Sequence, residues 1–281
     1  MPAGERARGL LELTRPANAV AAGVLTLIGA FVAGVDASAI VRTGAAVGAT
    51  VLAVGAGNTI NDYFDREIDA INRPDRAIPR GAVTPRAALA FSLVLFAGAV
   101  GLALLLPLAA LAIAGVNLLA LVAYTELFKG LPGVGNVVVG YLGGSTFLFG
   151  GAAVGEIDSG VLVLFVLAAL STVAREIVKD VEDVAGDRQE GLRTLPIVLG
   201  ERRALLIAAG VLAIALFASP APYLQSTFGW PYLLVVAFAD GAMIYAAAES
   251  FADPTAGQEH LSYAMFLAGL AFVVGRIAVL V

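Results

Sequence analysis

Long apolar runs alternate with short polar segments along the whole chain. A helix needs about 20 apolar residues to cross the hydrocarbon core of a bilayer. Nine runs approaching that size lie at 17–35, 40–62, 87–106, 108–124, 134–154, 160–178, 204–219, 230–248 and 261–281. The third and fourth are parted only at Pro107, and the seventh is short. Runs of this length predict helices and not strands. The fold expected is an all-α polytopic membrane protein with nine transmembrane helices, a single domain over 1–281. Residues 1–16, with charges of both signs, read as a cytoplasmic amphipathic lead-in and not as a cleaved signal.

The polar segments set the orientation, because lysine and arginine stay on the cytoplasmic side. With the N-terminus cytoplasmic, fifteen of the seventeen basic residues fall on inner segments, and the C-terminus lies outside. Composition agrees: 59% of residues are hydrophobic and 14% charged, against about 25% charged in soluble domains. The 32 glycines, scattered through the runs, suit close helix packing in lipid. The absence of cysteine excludes thiolate metal chemistry, and a single histidine, His260, argues against imidazole-based zinc or haem binding. The net charge of −5 argues against a nucleic-acid partner.

Two inner segments carry the chemistry. At the end of the second run, Asn61, Asp65 and Asp69 are spaced i, i+4, i+8, with Asn58 and Asp62 beside them. At the end of the sixth, Glu176, Asp180, Asp183 and Asp187 are spaced 4, 3 and 4. On a helix each set forms one stripe. Like charges at that spacing repel, and the cost rises next to a membrane. Two facing stripes therefore call for cations. Oxygen ligands alone favour Mg²⁺, with Mn²⁺ or Ca²⁺ as alternatives, and Mg²⁺ commonly sits between carboxylates and substrate phosphates. The pattern predicts a metal-bridged diphosphate site at the cytoplasmic mouth of an apolar cavity. Arg73, Arg175, Lys179 and Lys129 lie close enough to grip phosphate oxygens. Arg6, Arg8, Arg202 and Arg203 read as membrane-side anchors. Glu249, Asp253, Glu259 and His260 read as a solvated turn, with a lining of the acceptor entry as the alternative.

These residues carry a resemblance. N61-D-Y-F-D65-R-E-I-D69, with the following N72-R-P-D-R-A-I-P-R-G81, resembles the first aspartate-rich motif of the UbiA family of intramembrane prenyltransferases. D180-V-E-D183-V-A-G-D187 resembles the second motif, Y124-T-E-L-F-K129 the tyrosine–lysine motif, and L13-T-R-P-A-N18 the N-terminal signature. The resemblance implies nine helices around a central cavity and transfer of an isoprenyl chain from its diphosphate, with Mg²⁺ as cofactor. It implies metal ligands at Asn61, Asp62, Asp65, Asp69, Asp180, Asp183 and Asp187. It implies catalytic roles for Asp65, Asp69, Asp183, Lys129 and Tyr124. Substrate contacts are implied at Arg15, Asn18, Arg73, Arg76, Lys129, Arg175, Lys179 and Arg193.

The first motif is most similar to that of the family's archaeal ether-lipid branch. That implies geranylgeranyl diphosphate as donor and geranylgeranylglyceryl phosphate, a prenylated glycerol phosphate, as acceptor. An acceptor phosphate predicts one more basic contact, at Arg15 or Arg193. Relatives that prenylate quinone precursors or tetrapyrroles offer an alternative acceptor class. An ion-coupled transporter is the remote alternative. Its sites lie near the membrane midplane, where only Asp240 is found. Tyr124, Tyr141, Phe147 and Phe149 are candidates to face an allylic cation, with packing the favoured role for each.

Overall fold

The computed structural model describes residues 3–281, with all their side chains except those of Ala3, Ile68, Asn72, Thr125 and Glu126. Asn72, quoted in the first motif, therefore lies outside the described side chains. Every regular element among the described residues is helical. In order they are α1 (Ala3–Leu13), α2 (Pro16–Val32), α3 (Ile40–Phe64), α4 (Arg66–Asn72), α5 (Pro85–Ala103), α6 (Leu108–Ala123), α7 (Val134–Val154) and α8 (Ser159–Glu182). There follow α9 (Val184–Gln189), α10 (Leu195–Leu199), α11 (Glu201–Ala218), α12 (Ala221–Leu224), α13 (Pro231–Glu249) and α14 (Pro254–Leu280).

All nine apolar runs fall on helices. By length and apolarity, seven described helical stretches can cross a membrane alone, built on α3, α5, α7, α8, α11 with α12, α13 and α14. The α2 helix passes that test only when joined to α1 across a 50° bend, and α6 has 16 residues. The bend falls at Arg15, whose φ of 48° and ψ of 69° are left-handed. For a residue with a Cβ that conformation costs about 1–3 kcal/mol and persists where the surroundings hold it.

Short polar signals set the helix limits. Thr84, Asp158 and Asp253 each accept a backbone N–H from the first turn of α5, α8 and α14, and proline follows Thr84 and Asp253. The last of these corrects the sequence reading. The Asp253 cap starts α14 at Pro254, so Glu259 and His260 stand on a helix and not in a solvated turn, and His260 Nδ1 pairs with Glu249.

Small residues bring the central helices together. A Cβ on Gly29 would strike the backbone of Phe147 in α7, and one on Gly150 would strike Thr26 in α2. The two backbones thus cross in direct contact. On another face of α7, Gly144 admits the Phe165 carbonyl of α8 in the same way. Phe147 and Phe149 are 1% and 6% exposed and belong to these packed layers, so packing is what they do here.

The pairings also fix sidedness within the bundle. Ala45, Ala46 and Ala49, early in α3, pack with Phe149, Ala152 and Ala153, late in α7. Asn136, at the start of α7, bonds Asp180, near the end of α8. The acidic ends of α3 and α8 therefore emerge on the same face of the bundle.

Candidate active site

Both acidic ends share one local geometry. α3 stops at Phe64 and α4 starts at Arg66; between them Asp65 has φ −80° and ψ 2°. α8 stops at Glu182 and α9 starts at Val184, with Asp183 at φ −87° and ψ 0°. The i→i−4 bonds continue through each break: Asp65 N to Asn61 O and Asp69 N to Asp65 O at 2.9 and 2.8 Å, Asp183 N to Lys179 O and Asp187 N to Asp183 O at 2.9 and 3.0 Å. The stripes expected from spacing are present, each bent at its middle aspartate. Neither carboxylate at the bend, Asp65 or Asp183, takes a hydrogen bond or ion pair among the described residues.

The first end is neutralised by arginine. Asp62 and Asp69 are 7% and 6% exposed. Arg15 Nη2 donates to Asp62 at 2.8 Å, and Arg76 Nη1 donates to Asp69 at 2.6 Å and to Asp62 at 3.4 Å. Asn58 Nδ2 donates to the Thr14 carbonyl at 3.0 Å. These bonds hold the left-handed Arg15 turn against α3. The loop after α4 is fixed separately: Ala77, Ile78 and Val83 pack with Leu13 of α1, and Arg80 reaches Glu12 at 2.6 Å.

The second end opens on a small polar pocket lined in part by Tyr124, Lys129, Asn136, Glu176, Asp180 and Thr194. Asn136 Nδ2 donates to Asp180 at 2.8 Å and Thr194 Oγ1 to Asp187 at 3.2 Å. Lys129 Nζ lies 3.9 Å from Glu190. Burial pushes the Asp187 carboxyl up, and the charges of Asp183 and Glu190 push the same way; the Thr194 bond and Lys129 oppose them.

Tyr124 and Lys129 meet in this pocket because residues Tyr124–Phe128 form a π-helical turn, closed by Lys129 N–H on the Tyr124 carbonyl at 2.8 Å. At the α-helical rotation of about 100° per residue, positions five apart point roughly 140° away from each other. An i→i+5 turn stacks them on one side.

Of the remaining predicted contacts, only Arg175 reaches either network, through Glu176. Arg175 pairs with Glu176 and lies near Gln258 and Ser262 of α14. Asn18, Arg73, Lys179 and Arg193 are exposed, Asn61 is half-buried, and none makes a side-chain hydrogen bond or ion pair among the described residues. Asn136 and Thr194, both 6% exposed, are site residues that sequence reasoning missed. The signal for Asn136 is an amide at the inner end of a glycine-rich apolar run.

The donor set is oxygen only, with the Asp65 and Asp183 carboxylates uncommitted. Among the described residues no three acidic or histidine side chains already converge as a metal cage. The oxygen-only donor set fits a divalent cation of the kind that takes one or two carboxylates and completes its shell with substrate phosphates.

A model of the UbiA prenyltransferase family matches residues 22–270. The digeranylgeranylglyceryl phosphate synthase of Natronomonas pharaonis is 65% identical over 275 residues, covering 98% of this chain and 99% of its own. The enzyme of that name from Halobacterium salinarum is 59% identical over 273 residues, covering 97% and 99%. A structure solved in work on digeranylgeranylglyceryl phosphate synthase in membranes superposes with a TM-score of 0.80 at 36% identity, over 97% of this chain and 99% of that one. A UbiA homologue from Archaeoglobus fulgidus, bound to GPP and Mg²⁺, shares the fold at a TM-score of 0.70 and 18% identity, over 97% and 100%. This chain belongs to the UbiA prenyltransferase family.

Proposed function

We propose that the chain transfers a geranylgeranyl group from geranylgeranyl diphosphate to geranylgeranylglyceryl phosphate, forming the second ether bond of an archaeal membrane lipid. The observation that carries this reading is the meeting of Tyr124, Lys129, Asn136 and Asp180 in one pocket, on the bundle face where the other acidic end also emerges. The full-length similarity to synthases of that lipid supports the donor and the acceptor. Nine spans, with the N-terminus and both acidic ends cytoplasmic in the cell membrane, suit the distribution of arginine and lysine. In that arrangement α1 with α2, and α6, supply the two crossings beyond the seven.

Asn61, Asp65 and Asp69 at the first end, and Asp183 and Asp187 at the second, are the residues that would hold Mg²⁺, with Asp62 and Asp180 behind them. Bound there with the diphosphate, the ion would neutralise the charge that builds on the leaving oxygens. Lys129 adds a positive charge at the pocket rim, where it steadies the same oxygens. Tyr124 presents its ring beside the allylic carbon. As the bond from C1 to the diphosphate oxygen breaks, its electron pair leaves with diphosphate. The acceptor hydroxyl bonds to C1, and its proton passes to diphosphate or to a carboxylate of the site. The apolar helices keep water from competing for the cation.

Purified chain, supplied with Mg²⁺, labelled geranylgeranyl diphosphate and geranylgeranylglyceryl phosphate, is expected to release diphosphate and form the doubly prenylated product. Turnover with an aromatic acceptor alone would overturn the acceptor. Ion flux without diphosphate release would overturn the enzyme.

A further inference from the structure

The first acidic end already holds a cation of its own. Arg76 Nη1 bridges Asp69 and Asp62, two buried carboxylates, and Arg15 completes the neutralisation of Asp62. Two positive and two negative side chains leave that part of the row with no net charge. Asp69 cannot give its Oδ2 both to a guanidinium at 2.6 Å and to another cation. The segment carrying Arg76 is exposed on its N-terminal flank and anchored on its C-terminal flank. Arg73, Pro74 and Asp75 are exposed, while Ala77, Ile78 and Val83 are buried against α1 and Arg80 is tied to Glu12. The Arg76 side chain is 21% exposed, and the apolar cluster that anchors the segment does not include it.

We propose that Arg76 is a positioning residue that serves as the resident counter-ion of the first acidic row and yields Asp69 to the divalent cation when substrate binds. This rests on the metal reading given above and goes beyond it. While the site is empty, Arg76 keeps two buried carboxylates from repelling each other and holds the row in register. On uptake of metal and diphosphate it exchanges a carboxylate partner for phosphate oxygens nearby. No covalent bond changes in the exchange.

The inference is tested by Mn²⁺ binding, read by electron paramagnetic resonance in the absence of prenyl substrate, on the purified wild-type chain and Arg76→Gln. Removing a competing unit charge a few ångström from the ligand is expected to tighten Mn²⁺ about tenfold, a modest share of the Coulomb energy at that range. Equal or weaker binding by a folded R76Q overturns the inference and leaves the metal reading standing. No Mn²⁺ binding by either protein, even with inorganic diphosphate added, overturns both. Should R76Q not fold, hydrogen exchange of the wild-type chain decides. Mg²⁺ with inorganic diphosphate is expected to change the exchange rate of the Arg76 guanidinium protons, and an unchanged rate there overturns the inference.

Discussion

The two acidic helix ends have the same backbone and opposite electrostatics. At the first, guanidinium groups take the buried carboxylates, so Asp62 and Asp69 are held by full charges. At the second, Asp180 and Asp187 are held by a neutral amide and a hydroxyl, Asn136 and Thr194, and only Glu176, a turn earlier, pairs with a guanidinium, that of Arg175. A hydrogen bond to a neutral group orients a carboxylate and leaves its charge in place. The first end is thus closer to a structural clasp, and the second keeps negative charge for something to arrive and cancel. Each end spares one carboxylate, at its bend.

The comparison is broken most directly at Asp62. Asp62→Ala leaves Arg15 and Arg76 without their shared partner and is expected to cost about 1.5–3 kcal/mol of stability, the scale of a lost hydrogen bond to a charged group. Thermal unfolding in detergent should show a lowered midpoint before any assay is made. If the midpoint is unchanged, the first end is not a clasp.

Asp65→Ala and Asp183→Ala sharpen the contrast. Neither side chain is bonded, so stability should stay within about 0.5 kcal/mol. Transfer should fall roughly 10²–10³-fold, the scale for losing one group that stabilises developing charge. Normal turnover in either variant would remove that end from the chemistry.

The smallest effect is expected at Asn136. Asn136→Leu strips the half-buried Asp180 carboxylate of its donor, costing about 1 kcal/mol. Asn136→Asp should cost more, because it places two carboxylates together. Matched unfolding curves of the two variants check the order. If Asn136→Asp is the milder change, Asp180 is not a charge held by an amide.

The spans are legible because a lipid-crossing helix must be long and apolar, a constraint that survives in any order of residues. Both acidic stripes are legible for a similar reason: the helical repeat puts positions four apart on one side. What spacing hides is who sits opposite. Asn136 is 44 residues from Asp180 along the chain, and nothing near either one names the other. Arg15 and Arg76 read as hands for phosphate, yet here they hold aspartates, since sequence shows a charge and not the direction it faces. The start of α14 is readable in principle. Asp253 followed by Pro254 is a helix opening, but the charged residues after it pull the reading toward solvent.

The wide turn at Tyr124–Phe128 bears on how related chains are compared. A homologue with one residue fewer there would close an ordinary α-turn and still aim its lysine inward. A single-position gap in this stretch therefore marks a change of winding, not a lost ligand. Tyrosine and lysine are the anchors to match, and the letters between them are slack.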